Sequence, residues 1–125
     1  DSGAQAISLI NTLRAMKIDV NTGKPFLGNK TGGLSGPAVK PVGVFQTYML
    51  FPFAKQHNIP IIAGGGISTL EDLLEYAMAG ASVFTVGSQI FREPLCFSRL
   101  ASELSDWMYK KGLSELSEIT GAAHE

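Results

Sequence analysis

The stretch IPIIAGGGISTLEDLL, residues 59–74, decides the fold. Residues 60–63 form a short apolar run that is typical of a strand buried on both faces of a parallel sheet. Three consecutive glycines, residues 64–66, follow the strand directly. Ser68 and Glu71 then fit a capping box that starts a helix. The stretch therefore predicts one strand–turn–helix unit whose turn is made of glycine.

Two further units of the same kind flank this one. Residues 6–10 are an apolar run that ends at a polar pair, and residues 82–86 form a run that ends at a glycine and a serine. Helical patterns follow, from Pro37 onward and over residues 94–111. Strands that alternate with helices predict an α/β fold with a parallel sheet. A (β/α)₈ (TIM) barrel takes about 250 residues, so we expect the C-terminal part of such a barrel, about strands six to eight, with sequence missing upstream.

The segments between these units carry their own signals. Residues 16–28 predict a hairpin that turns at Gly23, and residues 30–41 predict a glycine-rich loop. We expect Pro52 to bend or end the helix over residues 42–58 early, since proline lacks a backbone donor. His124 lies in a tail that is expected to fray.

Composition excludes several classes of function. The 125 residues are 45% apolar, which predicts a folded core, and 10 basic against 11 acidic side chains give a net charge of −1. That charge offers no general attraction to nucleic acid or to anionic lipid. No apolar stretch reaches the roughly 18 residues of a membrane span. Cys96 is the single cysteine, and no spacing of ligands suggests a metal site, so a reducing, cytoplasmic setting fits best.

The glycine turns predict a phosphate site. A helix start presents backbone N–H groups without intrahelical partners, and an anion reaches them closely only where no Cβ intervenes. Gly65 and Gly66 meet this requirement after one strand, and Gly87 and Ser88 repeat it after the next. The alternative is that each glycine merely permits a tight turn. For the two turns together we favour phosphate binding.

Asn11 and Thr12 follow the strand over residues 6–10, at the end where α/β barrels place their chemistry. An Asn amide offers a donor and an acceptor in one plane, which matches the edge of a pyrimidine or a similar cyclic amide. The alternative is an Asn that stabilises its own turn.

The chain resembles a known family in three stretches. These are LINTLRAMKIDVNTGKPFLGNKTGGLSGPAVKP, IPIIAGGGI and VGS, residues 9–41, 59–67 and 86–88. They are similar to the C-terminal part of class 1 dihydroorotate dehydrogenase, nearest the NAD-linked (class 1B) subfamily. The resemblance covers essentially the whole chain. It implies that residues 1–125 belong to a single FMN-dependent barrel that oxidises dihydroorotate to orotate in pyrimidine biosynthesis.

The resemblance also implies roles for individual residues. Asn11 and Thr12 would contact the substrate, Ile10 would lie beside the flavin, and Gly36 would approach it closely. The FMN phosphate would be held by Gly65, Gly66, Gly87 and Ser88. The catalytic base and a flavin-contacting lysine would lie upstream of this chain, so the segment alone is expected to be inactive. Cys96 is expected to be a packed or surface thiol.

Partners and alternatives follow from the same resemblance. It implies an FAD and iron–sulfur electron-transfer subunit and a homo-oligomer, and it leaves the electron acceptor open. One alternative is the FMN barrel of a dihydropyrimidine dehydrogenase, which an assay of uracil against dihydroorotate would separate. Another is a non-catalytic phosphate-binding half-barrel, which would be a colourless dimer.

Overall fold

A computed structural model describes residues 3–125 of the chain. It contains seven strands and three α-helices. The strands are β1 Ile7–Leu9, β2 Leu13–Ala15, β3 Ile18–Asp19, β4 Lys24–Pro25, β5 Gly32–Leu34, β6 Ile61–Gly64 and β7 Val83–Thr85. The helices are α1 Lys40–Gln56, α2 Leu70–Ala79 and α3 Cys96–Lys111. No helix among residues 3–125 combines the length and apolar character that crossing a membrane requires.

The central sheet has three parallel strands in the order β1-β6-β7. Leu9 of β1 lies opposite Ala63 of β6, which in turn lies opposite Phe84 of β7. This topology confirms the predicted parallel α/β arrangement. Because the strands are parallel, their carboxyl ends meet at one edge of the sheet, and the loops that leave those ends are brought together.

The hydrophobic core lies between the sheet and the helices. It is built from apolar side chains of β6, α1, α2 and α3, and the most completely buried large ones are Ile61, Tyr76 and Cys96. Cys96 is therefore a packed thiol, as expected for a small apolar side chain. Burial of these side chains fixes the three helices against one another and against the sheet.

Two antiparallel ribbons follow β1. The predicted hairpin is confirmed as β3 paired with β4, and Gly23 takes a φ of 68° in its turn. The glycine-rich segment over residues 30–41 is not only a loop, because β5 within it pairs with β2. A Cβ on Gly33 would collide with the side chain of Thr12, so glycine allows the two strands to approach.

The expectation that Pro52 ends its helix early is wrong. Helix α1 continues through Pro52 to Gln56. Phe51 and Ala54 on the same turns are buried in the core, while Pro52 itself is exposed. Packing of the inner face outweighs the single backbone hydrogen bond that the proline removes.

The capping box of α2 lies one residue later than predicted. Thr69, not Ser68, is the N-cap residue, and its side chain accepts a hydrogen bond from the Asp72 N–H at 3.3 Å. The Asp72 carboxylate accepts in return from the N–H groups of Thr69 and Ser68, both at 2.9 Å. Asp72 takes this role in place of Glu71 because its side chain also pairs with Lys40 across the loop. Gly80 caps the C-terminal end of the helix.

The prediction that His124 lies in a fraying tail is also wrong. The last residues fold back over α1 and α2, where the Gly121 N–H donates to the Ala77 carbonyl at 3.0 Å. The His124 ring stacks on Tyr48 with 4.0 Å between ring centroids, and its Nε2 lies 3.1 Å from the Ala79 carbonyl. The tail is fixed by these contacts, which a scan for local patterns does not reveal.

Candidate functional site

The loops after β1, β5, β6 and β7 enclose a cavity at the carboxyl edge of the central sheet. Its volume is about 210 Å³. That is below the roughly 300 Å³ typical of sites that enclose a whole small molecule, so it can enclose only part of a nucleotide. The lining residues are Ile10, Asn11, Thr12, Ser35, Gly36, Val39, Gly64, Gly65, Gly66, Thr85, Val86, Gly87 and Ser88.

All eight site residues proposed from the sequence line this one cavity. They come from four separate loops, and the loops touch one another: a Cβ built on Gly36 would lie 3.8 Å from the Ser88 Oγ. The Leu9–Ile10 peptide bond, where the first loop begins, is cis. The structure thus brings the residues together, and their assignment to particular ligands stays a prediction.

The glycines after β6 are required by local geometry. Gly65 and Gly66 take φ values of 125° and 79°, which side chains other than hydrogen rarely allow. A Cβ on Gly66 would lie 2.6 Å from the Gly36 carbonyl oxygen and 3.0 Å from the Pro37 Cα. Gly64 belongs to β6, and a Cβ there would collide with Thr85. Turn geometry and close packing are thus sufficient reasons for all three.

Gly87 is different. Its φ is −111°, and a Cβ built on it meets no atom within 4 Å. Neither a positive φ nor packing among residues 3–125 explains why this position has no side chain. A requirement that an external group approach its backbone does explain it.

Four backbone N–H donors at the cavity have no hydrogen-bond partner among residues 3–125. Outside helices and strands, no hydrogen bond between the described residues uses the N–H of Gly65, Gly66, Gly87 or Ser88. Their N–H groups are also absent from the hydrogen bonds that side-chain oxygens accept within residues 3–125. The four residues are half-buried or exposed, so their N–H groups are open to water or to a ligand rather than enclosed by protein. Four of them beside one cavity indicate a site for hydrogen-bond acceptors such as phosphate oxygens.

The cavity wall carries no charged side chain within the described part of the chain. Its polar groups are backbone N–H donors, hydroxyls and the Asn11 amide. No group of three or more His, Cys, Asp or Glu residues among residues 3–125 is arranged to hold a metal ion. Recognition of an anion here would therefore depend on the main chain rather than on lysine or arginine.

Asn11 and Thr12 are exposed at the mouth of the cavity. The Asn11 Oδ1 accepts from the Thr12 N–H at 2.8 Å and from the Thr12 hydroxyl at 3.4 Å. This local bonding is the turn-stabilising alternative considered for Asn11. It leaves the amide NH₂ of Asn11 to donate to another molecule.

The loop after β6 is held from several sides. The Tyr76 hydroxyl donates to the Gly65 carbonyl at 2.8 Å. Burial raises the pKa of Tyr76 to about 12, so the hydroxyl keeps its proton at physiological pH. On the far side of the loop, the Arg99 guanidinium donates to the Ser68 carbonyl at 2.9 Å.

Two clusters of ion pairs lie beside the loop and hold the elements that contact it. Lys40 Nζ lies 2.8 Å from the carboxylates of both Asp72 and Glu75, and their hydrogen bonds raise the pKa of Lys40. Partial burial alone would raise the pKa of Asp72. The hydrogen bonds from Lys40 and from the helix start outweigh that burial, so the pKa lies below its ordinary value.

Arg99 is the centre of the second cluster. It is held by Glu93 at 2.7 Å and by Glu103 at 3.1 Å. Hydrogen bonds from Arg99, and then from Gln89, lower the pKa of Glu93 to about 2. The loop backbone is thus fixed before any ligand binds, which reduces the entropy lost on binding.

Sequence reasoning missed three groups at this site: Ser35, Thr85 and Tyr76. Thr85 lies at the carboxyl end of a strand, as Thr12 does, so the same argument from position could have found it. Ser35 lies in a segment read only as a glycine-rich loop. Tyr76 lies within the apolar face of α2, and no local signal marks its contact with Gly65.

Comparison with known proteins gives one family for this chain. The family model described as dihydroorotate dehydrogenase matches residues 1–108. The chain is 45% identical over 124 residues to a protein of Carboxydothermus hydrogenoformans named dihydroorotate dehydrogenase B (NAD(+)), catalytic subunit, and 45% identical over 123 residues to a protein of that name from Methanosarcina mazei. These alignments cover 99% and 98% of this chain but only 39% and 38% of the relatives.

A solved structure shows the same similarity. The chain superposes on a dihydroorotate dehydrogenase from Eimeria tenella, solved in complex with ferulenol, with a TM-score of 0.77 and 25% identity. The match covers 99% of this chain and 32% of that one. The family match over residues 1–108 and the similar backbone of the solved structure show that the chain belongs to the dihydroorotate dehydrogenase family.

Proposed function

We propose that residues 1–125 are the C-terminal segment of an FMN-dependent barrel that oxidises (S)-dihydroorotate to orotate in pyrimidine biosynthesis. Family membership supports this proposal, as do the names of the relatives. In the proposal, β1, β6 and β7 correspond to barrel strands six, seven and eight. The chain spans about two-fifths of its curated relatives, at 39% of one of them, so the rest of the barrel would come from the remainder of the polypeptide.

One observation carries the proposal: at the ends of two neighbouring strands, four N–H groups have no partner within the described part of the chain. Barrel enzymes commonly hold a phosphate with the loops after strands seven and eight. The loops after β6 and β7 occupy those positions in the proposed numbering. Donors with no protein acceptor, in a cavity that encloses only part of a nucleotide, fit the phosphate end of FMN.

The residues present fit the cofactor. The N–H groups of Gly65, Gly66 and Gly87 would donate to phosphate oxygens, and Ser88 would add its N–H and its hydroxyl. Ile10 and Gly36 would line the approach to the flavin. When bound, FMN supplies the acceptor for the hydride that dihydroorotate loses.

This segment would orient the substrate. Asn11 has an amide NH₂ that is not engaged by Thr12, and the Thr12 hydroxyl can turn toward a ligand. Together they would bind the amide and carboxylate edge of the dihydropyrimidine ring. The base that accepts the substrate proton would come from another part of the polypeptide, as the resemblance implies.

The open side of the sheet is consistent with a larger barrel. Within residues 3–125, β1 and β7 each pair with β6 alone, so each has one unpaired edge. A groove of about 530 Å³ runs along β1 and α1, and Leu9, Val42 and Met49 contribute to its wall. In the proposal, the preceding β/α unit of the same polypeptide fills this groove.

Partners follow from the relatives' names. Relatives named as the catalytic subunit of a B-type enzyme support a separate electron-transfer subunit, with FAD and an iron–sulfur centre, for the complete protein. We also propose a homo-oligomer and a cytoplasmic location, both from the family resemblance.

The test is an assay of the complete polypeptide. Purified protein should be yellow, contain FMN and convert dihydroorotate to orotate, while residues 1–125 alone should not turn over. Reduction of uracil without oxidation of dihydroorotate would instead indicate a dihydropyrimidine dehydrogenase. A colourless protein that binds no flavin would indicate a non-catalytic phosphate-binding half-barrel.

A further inference from the structure

Tyr76 makes a contact with the cavity loop that neither the family match nor the proposed function assigns. Its side chain is fully buried in α2, and its hydroxyl donates to the Gly65 carbonyl at 2.8 Å. A buried hydroxyl is unfavourable unless it is hydrogen-bonded, and Gly65 is the acceptor. The position thus uses a tyrosine where a phenylalanine would fill the core equally well.

A second glycine makes room for this hydroxyl. Gly43 lies within α1, near its N-terminal end, where glycine is less favourable than alanine. A Cβ on Gly43 would overlap the Tyr76 hydroxyl. The absence of a Cβ at Gly43 therefore gives the Tyr76 hydroxyl of α2 the space it needs beside α1.

The geometry of a peptide plane links Tyr76 to the cavity. In a trans peptide, the carbonyl of one residue and the N–H of the next point in opposite directions. The Gly65 carbonyl is directed inward at Tyr76, so the Gly66 N–H is directed away from the helix, on the side of the cavity that Gly66 lines. Two glycines with positive φ could rotate this peptide plane easily, because no Cβ restricts them.

We propose that Tyr76 is a positioning residue that holds the Gly65–Gly66 peptide with its N–H facing the phosphate cavity. This inference rests on the proposed function, since it concerns the same FMN phosphate. The two glycines let the loop approach a phosphate closely. The hydrogen bond from the Tyr76 hydroxyl prevents the Gly65–Gly66 peptide from rotating its N–H away from the cavity. Tyr76 itself touches neither cofactor nor substrate.

The test compares two flavins in the complete enzyme. The dissociation constants of FMN and of riboflavin, which lacks the phosphate, are measured by fluorescence titration of the apo-protein and of its Tyr76→Phe variant. We expect the FMN constant to rise about five- to tenfold, which is less than the loss of a whole hydrogen bond to phosphate, because the released peptide can still turn its N–H to the cavity. The riboflavin constant should change less than about twofold, since riboflavin does not use the phosphate donors.

Two control variants separate positioning from stability. Ile61→Val removes one buried methylene from the strand that leads into the loop, so it lowers stability without touching the hydroxyl. Tyr109→Phe removes a hydroxyl that is exposed on α3. Neither should change the ratio of the two dissociation constants, and the thermal midpoint of each variant shows that it folds.

The outcomes distinguish this inference from the proposed function. If wild type prefers FMN but Tyr76→Phe weakens both flavins equally, or neither, the positioning role is wrong and the phosphate site stands. If wild-type protein binds FMN no more tightly than riboflavin, the phosphate site itself is wrong, and the positioning role is overturned with it.

Discussion

Replacing Gly87 by alanine tests the phosphate site with little disturbance of the fold. The new Cβ would meet no atom within 4 Å, and the backbone φ of −111° is on the negative side that all residues adopt. Gly87→Ala should therefore change the free energy of unfolding by less than about 0.5 kcal/mol, as for an exposed surface position. The same methyl group would stand beside a backbone N–H that has no partner among the described residues.

The expected loss of affinity follows from the bond that the methyl obstructs. A hydrogen bond from a backbone N–H to a charged phosphate contributes about 1.5–3 kcal/mol. At 1.4 kcal/mol for each factor of ten, Gly87→Ala should raise the dissociation constant of FMN roughly 10- to 150-fold. Gly87→Ala should thus lower the affinity for FMN while leaving the free energy of unfolding nearly unchanged.

The assay is titration of the complete apo-enzyme with FMN, read by flavin fluorescence, alongside thermal unfolding. Gly28→Ala is the matched control, since Gly28 is exposed, has no neighbour within 4 Å of its built Cβ, and lies outside the cavity. It should leave both quantities unchanged. FMN affinity that is equal in Gly87→Ala and Gly28→Ala would refute the argument that Gly87 is open for phosphate.

Three further variants test the parts that hold the loop. Gly66→Ala should destabilise the protein by about 1–3 kcal/mol in urea unfolding, because φ is 79° and the Cβ would crowd the next loop; an unchanged midpoint would contradict this. Gly43→Ala should also destabilise, by about 1–3 kcal/mol, although alanine normally favours a helix, because its Cβ would overlap the hydroxyl of Tyr76; a stabilised variant would show that the helices can separate freely. Asp72→Asn should be less stable than wild type at neutral pH, where the lowered pKa keeps the carboxylate charged beside Lys40. The stability difference should shrink as pH falls below 3.8 and through the lowered pKa, since wild-type Asp72 then becomes protonated; a difference that is constant with pH would rule out the ion pair as its cause.

Much of the fold follows from local patterns in the sequence. The parallel strands were predicted because short apolar runs end at turn residues, and the last helix was predicted from the helical pattern over residues 94–111, where α3 forms. The candidate site was predicted because parallel strands bring their carboxyl ends to one edge. Seven of the eight residues proposed for it line one cavity for that reason, whereas Gly36, which the resemblance alone implied, reaches the cavity from the loop after β5.

What the sequence did not reveal depends on contacts between distant residues. Strand β5 contains two glycines, which disfavour strands, and it forms because β2 lies beside it. Pro52 stays within α1 because Phe51 and Ala54 are buried on either side of it. No local pattern marks these pairings.

The anchors of the loop were missed for the same reason. Lys40 and Asp72 are 32 residues apart, and Tyr76 is 11 residues from Gly65. Each of these residues looks locally like an ordinary member of a helix. Only the packing of α1 against α2 reveals that they support the loop.

The central claim is that main-chain N–H groups of two neighbouring loops bind the phosphate of FMN. The most direct measurement is an experimental structure of the complete enzyme with FMN bound. The account predicts phosphate oxygens within about 2.7–3.2 Å of the backbone nitrogens after β6 and β7. A phosphate bound elsewhere, or protein atoms that fill this cavity in the complete enzyme, would contradict it.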